Sequence, residues 1–268
     1  MGLAMNTNIH PIDSRLSGML KSDKVLKGIF NSIPCPSIIE MCGYAGFDFV
    51  VIDNEHGSAD FQTTENMLRA ARSSGITPIV RCFERDIPRV LDMGASGVQV
   101  PMVETPEQAL RLSRMIRYPL PGNKGGNRGS AFSPRAAGYG AFGGVSHTSL
   151  SNESLALVVM IETPLGVQNA AAIAAVEGVD AVFVGPNDLA HTMGHENRWQ
   201  DAEVQEAIIK VIKDVKNQGK CPGVLALTQK DEEFYAAIGA RYFANVTTAL
   251  FTQALREAAK RTEAKISY

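Results

Sequence analysis

What the chain lacks narrows its class first. No apolar run approaches the roughly 20 residues that a membrane-crossing helix needs; the stretch "LALVVMI" at 155–161 is typical of the longest ones. The opening residues, "MGLAMNTNIHPIDSR", have no basic start followed by an apolar stretch, so no secretory signal is expected. Cysteine is sparse: Cys35, Cys42, Cys82 and Cys221 are scattered over 268 residues without a CxxC or a framework spacing. Four reduced thiols in a cytoplasmic protein are therefore expected. Neither charge sign prevails, with 26 Lys and Arg against 28 Asp and Glu, and this removes the electrostatic case for a nucleic-acid partner. No membrane partner is expected either.

What is present is a rhythm. Short apolar, β-branched runs at 26–31, 48–53, 77–82, 97–103, 155–161, 180–185, 222–227 and 241–246 read as strands. Helical patterns separate and follow them at 35–44, 61–73, 86–93, 105–115, 165–175, 201–217, 230–238 and 250–263. A solvent-facing strand would alternate, but Phe49-Val50-Val51-Ile52 runs apolar without a break, as a strand covered on both faces does. Eight strand–helix units in about 250 residues predict a single (β/α)₈ TIM barrel over 1–268, with the last helix at a subunit interface. A doubly wound open sheet is the rival. Its GxGxxG fingerprint is missing, since "NSIPCPS" follows the first strand and "NEHGSAD" the second.

Residues 117–153 break the rhythm as a long, Gly-rich, basic insertion between helix four and strand five. It lacks GxxxxGK[ST] and does not join a strand to a helix, so it is not a P-loop. Loops of this length in compact domains are usually functional or disordered. This one is expected to lie against a neighbouring subunit and to help complete that subunit's site.

Chemistry in a barrel collects at the C-terminal strand ends. The second strand ends in Asp53-Asn54-Glu55-His56, the third delivers Arg81, the fifth ends in "MIETP" with Glu162, and the sixth in "GPNDL" with Asp188. Glu162 and Asp188 lie one β/α unit apart and should top strands about 4.8 Å from each other. Carboxylates that close repel unless a cation stands between them. Two hard oxygen ligands, with room for water and a chelating substrate, suit Mg²⁺ or Mn²⁺. Singly, each residue has an ordinary structural explanation as a cap or a loop hydrogen-bonder. Four on one barrel face make separate accidents a poor explanation.

The stretches "FVVIDNEHGSAD", "VLDMGASGVQVPMVETPEQA", "RYPLPG", "MIETPLGVQN" and "VEGVDAVFVGPNDLAHTMGH" together resemble the HpcH/HpaI family of metal-dependent pyruvate aldolases, over about residues 25–250. The resemblance implies a (β/α)₈ barrel assembled as a homo-hexamer of paired trimers. It implies reversible aldol cleavage of 4-hydroxy-2-oxo acids to pyruvate, or a close analogue, and an aldehyde. It also implies Glu162 and Asp188 as ligands of Mg²⁺ or Mn²⁺ (Co²⁺ as a further option), His56 as the base, Asp92 as the acid orienting it, and Arg81 facing the keto oxygen. The backbone of Gly185, Pro186 and Asn187 would hold the pyruvate carboxylate, and Phe30 and Leu225 would line the pocket. Three departures stand out: Met160 where the family often has Gln, Lys124 or Arg128 standing in for an arginine of the insertion, and "NVTTAL" closing the last strand.

The chemistry itself asks for an electron sink. Cleavage leaves charge on C3 that a lysine Schiff base or a metal can absorb. The lysines fall in helices, in the insertion or at strand beginnings, which favours the metal. Asp53 is read as an indirect supporter of the site or a subunit contact, Glu55 less so. His191 and His195 share zinc-pair spacing without an intervening general-base Glu and are read as structural; His147 carries no assignment. Two alternatives remain open: decarboxylation of oxaloacetate through the same chelated unit, and a non-catalytic barrel that binds a keto acid.

Overall fold

The computed structural model describes residues 10–122 and 124–260. Eight parallel strands close into a barrel: β1 (Leu26–Asn31), β2 (Phe49–Asp53), β3 (Thr77–Arg81), β4 (Gly97–Val100), β7 (Ala156–Ile161), β8 (Ala181–Val184), β9 (Cys221–Leu225) and β10 (Tyr242–Val246), with β10 returning to pair with β1. Two further strands, β5 (Pro119–Leu120) and β6 (Lys124–Gly125), form a separate antiparallel hairpin.

The unbroken apolar strands are explained by two cores. Successive side chains of a strand point to opposite faces. Phe49 and Val51 therefore turn inward and join Leu26, Phe30, Ile79, Val158, Met160, Phe183 and Tyr242 in the barrel interior. Val50 and Ile52 turn outward, into the larger cluster between strands and helices. Inside, Phe49 stacks on Tyr242 at 4.2 Å, and the buried Tyr242 hydroxyl donates to Gln99 at 3.0 Å. The lower mouth is plugged by α1 (Arg15–Lys21), whose Leu16 and Leu20 complete the inner cluster. Each such side chain contributes roughly 1.5–3 kcal/mol by leaving water.

The helices that follow strands are α2 (Pro36–Tyr44), α3 (Phe61–Ser74), α4 (Ile87–Asp92), α5 (Pro106–Met115), α7 (Pro164–Ala174), α9 (Ala202–Asn217), α10 (Gln229–Ile238) and α11 (Thr247–Ala258). Several start on side-chain caps two to seven residues past a strand end. Asp60 accepts from the Thr63 amide at 2.7 Å, and Thr105, Thr163 and Thr228 cap in the same way. Such caps keep the β-to-α loops short and fix where strand-end side chains point. Helix α11 is exposed throughout except at Thr247.

Besides α1, two elements differ from the sequence expectation. The predicted strand 97–103 ends at Val100. An unpredicted helix, α8 (Pro186–Thr192), follows β8 directly. The stretch 117–153 folds onto its own barrel through the hairpin, a 3₁₀ segment at Arg135–Gly140 and α6 (Gly144–Ser154). Asn152 ties the two ends of the segment together by bonding both the amide and the carbonyl of Tyr118, at 2.7 and 2.9 Å, while Ser17 of α1 donates to the Glu153 carbonyl at 3.3 Å.

Candidate active site

On one side, Asp53 and Arg81 end neighbouring strands and stand opposite each other in the β2–β3 register. Arg81 donates bidentately to Asp53, Nε to Oδ1 at 2.8 Å and Nη2 to Oδ2 at 2.7 Å. Asp53 Oδ1 also accepts from the amides of Glu55 and His56, which curls the chain over the strand end. Burial alone would raise the Asp53 pKa, but the Arg81 hydrogen bonds and charge, with the two amides, hold it below the usual carboxylate range. Gly57 permits the curl, because a Cβ there would sit 2.1 Å from the Asp53 carbonyl oxygen. Arg81 Nη1 lies 3.1 Å from Glu55 Oε2, a charge contact without an aligned hydrogen bond, and the guanidinium stands 4.9 Å over the Phe30 ring. Glu55 Oε2 is also 3.9 Å from His56 Nε2, whose side chain is 63% exposed. Burial raises the Glu55 pKa against the opposing charges of Arg81 and His56.

On the other side, Glu162 follows β7 and Asp188 lies in the first turn of α8, behind β8. These strands are paired, Ile161 opposite Val184, so both carboxylates belong to one barrel edge. Glu162 is 2% exposed, and its Oε2 accepts from the Met102 amide at 2.8 Å. Met102 holds that amide in place at φ 57°, a left-handed conformation uncommon outside glycine. The Thr192 hydroxyl ties the far end of α8 to the Glu162 carbonyl at 2.7 Å. Gly185 leaves room for the carboxylate, since a Cβ would come within 2.4 Å of Glu162 Oε1. Burial pushes the Glu162 pKa up to about 7; the Met102 amide opposes this, while Asp188 and Glu55 add to it.

Both sides open on one cavity of about 310 Å³. Of the residues predicted for the site, Phe30, Asp53, His56, Arg81, Glu162, Gly185, Pro186, Asn187, Asp188 and Leu225 all line it. Two predicted residues do not. Asp92 ends α4 and accepts from Arg128 Nη2 at 2.7 Å; it lies in a separate cleft with Phe61 and Arg89 and is not brought to His56 within this chain. Arg128 is buried within the insertion itself, 4.4 Å over the Tyr118 ring. The Lys124 side chain lies outside the described residues. The zinc-pair spacing of His191 and His195 comes to nothing, because α8 stops at Thr192 and His195 bonds Asp201 and Glu203 at 2.8 and 3.0 Å. His147 is buried in α6 among His10, Tyr118 and Phe132.

The lining also includes Ser32, Met160, Phe183 and Val246. Met160 and Phe183 could have been found from inward strand parity two residues before Glu162 and Gly185. The Met102 donor had no sequence signal, because it depends on a backbone angle. Among the described residues no group of three or more His, Cys, Asp or Glu is arranged to hold a metal ion alone. The donor set is two carboxylates, one deeply buried and driven toward protonation by that burial, which the Arg81 charge only partly offsets. That set fits a hard divalent ion completing its shell from water and substrate.

Comparison with known proteins agrees in family. The family model described as HpcH/HpaI aldolase/citrate lyase matches residues 27–252. A hydroxypyruvate/pyruvate aldolase from Delftia acidovorans is 39% identical over 228 residues, covering 84% of this chain and 83% of the relative. A 5-keto-4-deoxy-D-glucarate aldolase from Salmonella paratyphi C is 36% identical over 243 residues, 90% of this chain and 92% of the relative. Among solved structures, an HpcH/HpaI aldolase/citrate lyase family protein from Burkholderia cenocepacia J2315 superposes with a TM-score of 0.86 at 31% identity, covering 92% of this chain and 98% of that one.

Proposed function

Because the chain belongs to the HpcH/HpaI aldolase/citrate lyase family, we propose that it reversibly cleaves 4-hydroxy-2-oxo acids to pyruvate, or a close analogue, and an aldehyde. The observation that carries this reading is the convergence of Glu162, Asp188, His56 and Arg81 on one cavity at the strand ends. Glu162 and Asp188 would hold a divalent metal, Mg²⁺ or Mn²⁺, with Co²⁺ a further option. An ion held there would supply Lewis-acid stabilisation of the negative charge left on the 2-oxo acid when the C3–C4 bond breaks.

The chain's own residues do the remaining work. Arg81 commits two N–H groups to Asp53 and only a charge contact to Glu55, which leaves three of its five N–H groups unbonded, two of them on the Nη1 that faces Glu55, for the C2 oxygen. Its orientation is fixed in advance, so little reorganisation is needed as charge develops. For the substrate carboxylate, Gly185 is already committed through its amide to the Ile161 carbonyl at 3.2 Å, and Pro186 has no amide hydrogen. The receiving N–H groups are therefore those of Asn187 and Asp188, in the first turn of α8, where helical amides lack partners. His56 takes the proton from the 4-hydroxyl and returns one to C3, its exposed ring reaching the substrate directly or through one water. Among the described residues no lysine lines the cavity, which supports the metal route over a Schiff base. A hexamer of paired trimers and a cytoplasmic location belong to the same proposal and rest on the family resemblance.

The test is chelation. EDTA treatment should stop both aldol cleavage and hydrogen–deuterium exchange at the pyruvate methyl, and Mg²⁺ or Mn²⁺ should restore both. Full turnover after exhaustive chelation would sink the reading, and borohydride trapping of pyruvate would redirect it to a lysine. Oxaloacetate decarboxylation, followed in parallel, separates the aldolase from its closest chemical rival.

A further inference from the structure

Resting on the metal reading above, we infer that Glu104 and Gln108 are positioning residues of this site. They brace the turn after β4 that aims the Glu162 carboxylate, although neither lines the cavity. The turn begins where β4 ends at Val100, paired there with Val159 of β7. From that point the chain stays stitched to the strand that carries Glu162. The Val103 amide donates to the Met160 carbonyl at 2.9 Å, and the Met102 amide donates to Glu162 Oε2 at 2.8 Å. The Gln108 carboxamide holds this turn by using both of its ends. Its Nε2 donates to the Met102 carbonyl at 3.3 Å, and its Oε1 accepts from the Glu104 amide at 3.0 Å. Met102 is thus tied on both sides of its Cα, through N–H to Glu162 and through C=O to Gln108. Its φ of 57° is the rotation those two ties select. A left-handed conformation at a non-glycine residue persists where the surroundings over-determine it.

Glu104 is the hub of the brace. Its amide is held by Gln108, its carbonyl accepts from Asn169 Nδ2 of α7 at 2.8 Å, and its Oε1 accepts from the Thr163 hydroxyl at 2.8 Å. Thr163 directly follows Glu162, and the same hydroxyl accepts from the Gly166 amide at 3.2 Å, which caps α7. The turn after β4 therefore grips Glu162 twice, at its carboxylate through Met102 and at its backbone neighbour through Thr163. Gly166 lets the two loops approach, since a Cβ there would sit 3.0 Å from the Val103 carbonyl oxygen. All of these bonds are made within the chain, so the carboxylate is aimed before anything binds. Groups that support a metal-ligating carboxylate from behind typically govern affinity or activity by about 10- to 100-fold.

The experiment follows Mn²⁺ binding by electron paramagnetic resonance, and hydrogen exchange of the Met102 amide in the metal-free protein by NMR. Glu104→Ala should weaken Mn²⁺ binding about tenfold to a hundredfold. It should also speed exchange at Met102 by about fivefold or more. Glu104→Gln, which keeps an acceptor for the Thr163 hydroxyl, should stay within about threefold of wild type on both readouts. Gln108→Met preserves size and helix propensity but removes both ends of the carboxamide. It should reproduce the Glu104→Ala losses, and it carries the test should Glu104→Ala fold poorly. Thr228→Ala removes the side-chain cap of α10, outside the brace, and should lower Tm without moving either readout. Three results would each overturn the inference: equal losses in Thr228→Ala, Glu104→Gln as impaired as Glu104→Ala, or wild-type Mn²⁺ affinity in both Glu104→Ala and Gln108→Met. The wild type separates the two levels. Absence of Mn²⁺ binding there overturns the metal reading and this inference with it; binding there with the variants unchanged overturns this inference alone.

Discussion

The two halves of the cavity solve the problem of buried charge in opposite ways. At β2 and β3, Asp53, Glu55 and Arg81 balance one another, and Asp53 additionally accepts two backbone amides. At β7 and β8, Glu162 has one amide and no ion pair, only the more distant charge of Arg81, with Asp188 close enough to push its pKa further up. The first half is complete as it folds and can act as a rigid template. The second is left wanting a positive charge. A site that must fix one charge and recruit another needs this asymmetry.

The largest effects should come from breaking each half in turn. Glu162→Gln or Asp188→Ala should cut aldol cleavage by about 10³-fold or more, the upper scale for losing a principal electrostatic group. The metal-free Tm should not fall, because no partner charge is orphaned. Arg81→Ala should cost on the order of 10²- to 10³-fold in kcat and, unlike the carboxylate variants, about 3–5 kcal/mol of stability, since it strands Asp53 and Glu55. Equal destabilisation by Glu162→Gln and Arg81→Ala, measured by denaturant unfolding, would erase the proposed distinction.

Gly185→Ala sharpens the comparison without altering charge. Its Cβ would sit 2.4 Å from Glu162 Oε1, so the carboxylate must move. A misplacement of about 1 Å can cost on the order of 10²-fold in rate. Activity should fall on that scale while the β2–β3 network stays intact. A variant with full activity would show that Glu162 tolerates displacement.

How much of this was legible in sequence follows the same division. The eight strands were readable because each is a short apolar run, and the strand-end acids, His56 and Arg81 followed from strand order alone. The α1 plug was not, since Leu16, Met19 and Leu20 carry helical spacing over only seven residues, too short a run to establish a period. Helix α8 hid behind "GPND", whose Gly-Pro-Asn reads as a turn although proline at a first helical position is compatible with a start. Asp92 was assigned by motif, yet its partner is Arg128, 36 residues away, a pairing set by how 117–153 folds back. The Met102 amide was invisible because a backbone angle leaves no mark in residue type.

Acidification should expose the paired half. The Asp53 pKa is held below its ordinary value, so its contribution is fully present above the unfolded-state value near 3.8 and is lost as pH falls through the folded one. Wild type should therefore lose stability more steeply below about pH 4 than Asp53→Asn does. Parallel acid-unfolding curves for the two proteins would mean that Arg81 draws its balance chiefly from Glu55.

The smallest effect expected is at Met102, and it tests the unpaired half. Its left-handed backbone costs roughly 1–2 kcal/mol for a non-glycine residue, and the residue is 44% exposed. Met102→Gly relieves that strain but loosens the unfolded chain by about 0.4–1 kcal/mol, so the net change in stability should stay within about 1 kcal/mol. The amide that holds Glu162 Oε2 survives the substitution, and kcat should change by less than about threefold if that N–H is what matters. A tenfold or greater loss with unchanged stability would transfer the role from the Met102 backbone to its side chain. In that case the rim above Glu162, and not the strain beneath it, would be what orients the carboxylate.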